Sequence, residues 1–180
     1  MATDDAWMRA EVAGPKRASV ITKAEVAVAM MKLAHRPLMV AGHLSLLIDI
    51  DGERLIDYLA EISRRANLPV VATAQTASGL REKGIEPAAV MPVMLIADRL
   101  CDPTWKGIDG KGQHDLLLMA GLPYYLEWTV LSGLKNFAPH LKTMTLDNVY
   151  HPNASWSLAN LSVKAWREQL LSLIEHLERG

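Results

Sequence analysis

The sequence is poor in the groups that most often carry chemistry. One cysteine, Cys101, stands in 180 residues. It excludes an internal disulfide, an iron–sulfur cluster held by four thiolates, and a thiolate zinc site. With nine methionines, this usage fits a reducing compartment. Charge of one sign is also missing: 19 basic residues face 20 acidic ones, a net of −1. No basic block exists, so neither nucleic acid nor an anionic membrane is an expected partner. No apolar run approaches the roughly 20 residues of a membrane span. Met1–Lys16 carries the acidic pair Asp4-Asp5 and no apolar h-region, unlike a secretory signal. A soluble cytoplasmic protein is expected.

What is present is core-forming material, half of the residues being hydrophobic. Four apolar runs read as buried parallel strands: Pro37–Gly42, Pro69–Ala74, Leu116–Gly121 and Leu141–Asp147. Helical spacing separates them. Val26, Ala29, Met30 and Leu33 mark one helix face over Lys23–His35, with Thr22 and Glu25 as a capping box. Leu55, Leu59, Ile62 and Ala66 mark a second between Glu53 and Asn67. A third helix spans Ala88–Leu100 with Pro92 near its first turn, and a fourth spans Tyr124–Phe137 with Trp128, Leu131 and Leu134. The last, Ser162–Glu178, carries Trp166, Leu170, Leu173 and Leu177.

This alternation predicts a doubly wound α/β fold, a Rossmann-like parallel sheet covered on both faces, over residues 22–180 after an N-terminal extension, 1–21. The long connection Gln75–Asp115 places the topological switch point between strands 37–42 and 116–121. Ligands of such sheets bind at the carboxyl ends of the strands flanking that point. The candidate crevice is therefore Gly42, His43, Thr73, Gly121 and Tyr124.

Chemical motifs are scarce. VAGHLSLLIDIDG has only Gly42 in the register of a dinucleotide fingerprint, and no phosphate-binding loop ending in Gly-Lys-Ser/Thr occurs. The glycines of GIDGKG (Gly107, Gly110, Gly112) precede a strand and read as a tight loop needing positive φ. The six histidines show no zinc-protease spacing; His35 and His176 fall late in helices, and His43 reads as a surface or capping residue. No nucleophile elbow exists, the carboxylates are scattered, and Cys101 beside Leu100 reads as an inert thiol. Aromatics in connecting segments stand out instead. Trp105 and Lys106 in one loop, and Tyr125 beside Tyr124 in another, are candidate partner anchors, while Tyr150 and Trp156 frame an irregular stretch around His151–Ala154.

The tract Cys101–Asn160, with its DP-W-G-DG-G pattern, its Tyr124-Tyr125 pair and LKNFAP (Leu134–Pro139), resembles the epsilon subunit of the archaeal carbon monoxide dehydrogenase/acetyl-CoA decarbonylase–synthase complex. GPKRASVI (Gly14–Ile21), His35-Arg36-Pro37-Leu38 and EKG (Glu82–Gly84) are similar as well, so the likeness runs from about Gly14 to Leu177. The resemblance implies a nucleotide-binding-domain fold like that of deoxyhypusine synthase, and a place in one-carbon metabolism and methanogenesis. It implies association with the large nickel–iron–sulfur (alpha) subunit, as a homodimer or in a heterotetramer with two copies of each chain. It implies no catalytic residue and no metal on this chain, a stabilising role, and help in passing electrons to a flavin. Two alternatives stand beside it: a subunit that itself binds FAD in the crevice, and an independent nucleotide-binding enzyme of the same fold. A sirtuin-like deacylase fits poorly for want of a zinc cysteine quartet.

Overall fold

The centre of the molecule is set by two runs with no polar side chain. In the computed structural model, which describes residues 14–178, β2 (Pro37–Ala41) and β7 (Leu116–Ala120) lie side by side and parallel, Pro37 against Leu116 and Ala41 against Ala120. Every residue of β7 and all but the first of β2 are buried. A strand covered on both faces needs apolar residues at odd and even positions alike, which is why these runs do not alternate. Their side chains still divide by pleat: Met39, Ala41, Leu116, Leu118 and Ala120 join one core, and Leu38, Val40, Leu117 and Met119 the other.

The chain builds outward from this pair in both directions. In order it forms β1 (Ser19–Ile21), α1 (Ala24–Leu33), β2, a 3-10 turn (His43–Leu46) and a small antiparallel hairpin of β3 (Asp49–Ile50) and β4 (Glu53–Arg54). Next come α2 (Leu55–Ala66), β5 (Val70–Ala72), α3 (Ala74–Glu82), β6 (Ala89–Val90) and α4 (Val93–Cys101). The second half is β7, α5 (Tyr124–Phe137), β8 (Lys142–Thr145), β9 (Trp156–Leu158) and α6 (Val163–Glu178). The seven-stranded sheet runs β1-β9-β8-β7-β2-β5-β6 with every pairing parallel. It is a Rossmann-like doubly wound sheet, and its switch point falls between β2 and β7. Helices α1, α2, α3 and α6 cover one face; α4 and α5 cover the other.

Several expectations are corrected. Helix α1 does not bury Val26, Ala29, Met30 and Leu33; it buries Ala24, Ala27, Val28 and Met31, and leaves Leu33 72% exposed. Both sets have helical spacing, and the set with two alanines lets the helix approach the sheet more closely. The expected Thr22 cap is not formed: Lys23 is the N-cap, without a side-chain hydrogen bond. Residues 89–90 are a strand, and α4 begins only after Pro92, whose fixed φ suits that position. Helix α3, strands β1, β6 and β9, and the hairpin were not anticipated. Strand β1 takes the last three residues of the expected extension into the sheet, while residues 1–13 lie outside the described residues. The tract after Tyr150 is not all irregular, since Trp156 opens β9 and Tyr150 is fully buried, its hydroxyl donating to the Ala18 carbonyl at 2.7 Å.

Candidate functional site

At the carboxyl ends of β2 and β7 the chain closes on itself. Gly42 N–H donates to Ala120 O (2.9 Å), Leu44 N–H to Gly121 O (2.9 Å) and Ser45 N–H to Gly42 O (3.1 Å). The Ser45 hydroxyl donates to the same Gly42 carbonyl at 2.6 Å. Gly121, at φ +75, is held by Asp147, whose carboxylate accepts its N–H at 3.0 and 3.3 Å. A Cβ on Gly42 would stand 2.2 Å from Gly121 O. The glycines expected to let a pyrophosphate approach instead let two turns of the protein touch. The helix whose N-terminus should face the ligand is also displaced, because a 3-10 turn and a hairpin intervene between β2 and α2. The amides of Gly42, Leu44, Ser45 and Gly121 are all spoken for, so these residues do not fit a flavin or nucleotide pyrophosphate at this point.

The remaining crevice residues sit around that closure. His43 opens the 3-10 turn and is half-buried. Thr73 caps α3, its hydroxyl 2.8 Å from that of Thr76. Tyr124 and Tyr125 begin α5 edge to face, ring centroids 5.5 Å apart, with Tyr125 73% exposed.

Directly beneath lies a cluster that the sequence did not reveal. Tyr124 stacks on His151 at 4.5 Å. His151 places Nε2 3.8 Å from Glu127 Oε2, and Asp147 completes a group whose ligand-type atoms all lie within 4.8 Å of one another. All three side chains are buried. Burial, and then the charge of Asp147, push the Glu127 carboxyl well above the usual carboxylate range. Burial raises Asp147 as well, opposed by its contact with Glu127 and by the Gly121 N–H. Burial alone brings His151 down to about 4, so its imidazole is neutral at physiological pH. Glu127 interrupts an apolar helix face, and that was the one signal available in the sequence; its partners are 20 and 24 positions away. A general acid or base has to reach its substrate, and these carboxyls face inward.

Trp105 and Lys106 occupy the opposite end of β7 from Tyr125, so the three expected anchors do not share one surface. The loop before β7 turns through Gly107 (φ +76), Gly110 (φ +74) and Gly112 (φ +137), as its glycines led us to expect. It is tied to the α1–β2 turn. Arg36 Nε donates to Gly112 O (3.1 Å), Arg36 Nη2 pairs with Asp109, and the Asp115 carboxylate accepts His35 N–H (2.7 Å) and Arg36 N–H (2.8 Å). Buried His114 fixes the rest: Nδ1 lies 3.0 Å from Arg36 O, and Nε2 accepts Ile108 N–H at 3.2 Å. Trp105 is half-buried, packed on the second core with its ring 5.8 Å from that of His114. Lys106 is exposed. Cys101, the last residue of α4, has its thiol pushed up by burial and by Asp98, which fits an inert role.

Near the amino end of β8 a recess of about 260 Å³ is lined by Lys16, Arg17, Lys135 and Lys142, with Thr143, Asn153 and Ser155 between them and, among the described residues, no acidic side chain. No helix among the described residues is long and apolar enough to cross a membrane.

Residues 3–177 match the family model described as CO dehydrogenase beta subunit/acetyl-CoA synthase epsilon subunit. A relative from Methanothermobacter thermautotrophicus, named acetyl-CoA decarbonylase/synthase complex subunit epsilon, is 42% identical over 89% of this chain and 88% of its own length. The epsilon 1 subunit from Methanosarcina barkeri is 34% identical over 85% of this chain and 86% of its own, and the epsilon 1 subunit from Archaeoglobus fulgidus is 34% identical over 89% and 84%. A match across nearly the whole length, with relatives above 30% identity, places the chain in the CO dehydrogenase beta subunit/acetyl-CoA synthase epsilon subunit family.

Proposed function

We propose that this chain is the epsilon subunit of an acetyl-CoA decarbonylase/synthase complex and serves there as a non-catalytic accessory, seated on the large nickel–iron–sulfur subunit and stabilising it. The names of its relatives support the assignment. The observation that carries the accessory role is the distribution of exposed apolar side chains. Leu47 after β2, Val90 in β6, Met94 and Leu95 at the start of α4, Tyr125 at the start of α5, Val149 after β8 and Val163 at the start of α6 gather at the carboxyl end of the sheet, each at least 38% exposed, against Leu33 and Phe137 at its amino end. Apolar groups gathered at one end of a sheet whose crevice is filled by its own backbone suit a protein partner better than a small ligand. The test is co-elution of the purified chain with the large subunit, comparing wild type with a Met94→Glu/Tyr125→Ala variant. Circular dichroism should be unchanged, since both side chains are exposed, and complex formation should weaken by at least about tenfold. Undiminished co-elution would remove this surface from the reading.

A second reading, flavin binding for electron transfer, has one observation in its favour. The recess lined by Lys16, Arg17, Lys135 and Lys142 gathers basic side chains with no carboxylate among its described lining residues, a setting that suits a phosphate of FAD. A stoichiometric flavin spectrum on the purified chain would support it, and a colourless chain that takes up no added FAD would remove it.

A further inference from the structure

We propose that Glu127, Asp147 and His151 form a binding site for one divalent transition-metal ion. Two carboxylates and an imidazole come from three separate places: the first turn of α5, the residues just after β8, and the connection to β9. Their ligand-type atoms converge within 4.8 Å, a spacing that one ion can bridge with small side-chain movements. The donors are also poorly served by the protein. Among the described residues, Glu127 has no hydrogen-bond partner except Asp147, which it can meet only by holding a proton, although it is 0% exposed, and Nδ1 of His151 has no partner at 1% exposure. A buried polar atom left unsatisfied has given up its water and gained nothing in return, a loss that is larger for a charged group. A fold retains such atoms together where something else satisfies them.

The chemistry of the donor set selects the ion. Oxygen and imidazole donors without a thiolate suit Zn²⁺, Fe²⁺, Co²⁺ or Mn²⁺; an imidazole disfavours Mg²⁺ and Ca²⁺, and Cu⁺ would seek sulfur. Two carboxylates and a neutral histidine balance a 2+ charge, which removes the need to bury two like charges side by side. The stack of Tyr124 on one face of His151 holds the ring plane, and the Gly121 N–H orients Asp147, as groups behind metal ligands do. An ion here would tie α5 to β8 and to the β9 connection, and through Asp147 to the closed turn at Gly121. Its role would be structural. The site lies directly under the docking surface proposed above, with Tyr125 packed on the Tyr124 ring that covers His151, but it is read by metal uptake and not by partner capture.

The experiment uses the full chain, stripped by a chelator and titrated anaerobically with Co²⁺. One equivalent per chain should bind with visible d–d bands, Zn²⁺ should displace it, and Zn²⁺ should raise the melting temperature of the stripped chain. Glu127→Gln and His151→Gln should each weaken Co²⁺ binding by at least about tenfold. Substoichiometric uptake by the wild-type chain, with a melting temperature indifferent to chelator and to Zn²⁺, would overturn the proposal without any variant. So would binding that survives both substitutions. In either event the cluster is a carboxyl pair held by a shared proton.

Discussion

Replacing Gly42 by alanine tests the closure at the switch point directly. The backbone at Gly42 has φ −88 and ψ 165, which alanine adopts without strain, so any effect comes from space alone. The added Cβ would lie 2.2 Å from Gly121 O and 2.6 Å from Leu122 Cδ2. Ordinary contact requires the β2 and β7 turns to separate by roughly 1 Å or more. Gly121 cannot simply retreat, being held by the Leu44 N–H on one side and Asp147 on the other. Overpacking of this kind costs about 1–3 kcal/mol, and losing the Leu44–Gly121 hydrogen bond adds about 1 kcal/mol. At ~2–4 °C per kcal/mol for a domain of this size, the melting temperature should fall by roughly 5–15 °C. Gly133→Ala supplies the control. That glycine lies inside α5 with open space where a Cβ would go, so alanine should stabilise by about 0.5–1 kcal/mol. The assay is thermal unfolding by circular dichroism, both variants beside wild type. A Gly42→Ala chain melting within a degree or so of wild type would show that the crevice is open, and would restore it as a ligand site.

The other predictions concern the opposite end of the sheet. Trp105→Ala should lower stability by about 2 kcal/mol, less than a fully buried tryptophan, because its ring packs half-buried on the second core and beside His114. An unchanged melting temperature with weakened capture of the large subunit would make Trp105 a partner anchor instead. Burial holds His114 below its ordinary value of 6.5, opposed by its hydrogen bond to the Arg36 carbonyl, so the neutral ring contributes stability above about pH 6.5. That contribution is lost as pH falls toward the lower folded-state value, because the unfolded chain takes up the proton first. His114→Gln should therefore be less stable than wild type by about 1–2 kcal/mol at pH 8, with a gap that narrows toward pH 5. A constant gap in urea unfolding across that range would refute the assignment.

How much of this was legible depended on whether the signal was local. β7 could be read residue by residue because a strand covered on both faces must be apolar throughout. The buried face of α6, Trp166, Leu170, Leu173 and Leu177, was read correctly because its large residues recur at helical spacing while charged and polar residues fill most of the other positions. Helix α1 has apolar or small residues on both stripes, so periodicity alone could not choose between two opposed faces offset by two residues. Helix α3, AQTASGLRE, has little hydrophobicity of its own; it forms because Ala77 and Leu80 find the core and Gly79 lets Leu46 and Ile56 approach closely. The switch point was inferable from the length of one connection. Its closure was not, since it follows from which hydrogen bonds the turn at 43–46 makes with Gly121, a residue more than 70 positions away.

The candidate site shows the same division more sharply. Gly42, Gly121 and Tyr124 were located by a rule about strand ends, and that rule holds for where the chain turns; it is silent on what fills the space between the turns. Here the space is filled by backbone, and the polar groups have moved inward to Glu127, Asp147 and His151. A sheet of this kind ordinarily exposes its amide donors at the strand ends to an anion. This one gives the Gly121 amide to Asp147 and leaves Leu47, Tyr125 and their neighbours facing outward. The consequence is a Rossmann-like sheet whose carboxyl edge presents exposed apolar side chains in place of free amides. The proposed docking surface follows from that arrangement: the edge that bears the active site in other sheets of this class is, on that reading, the edge a partner covers.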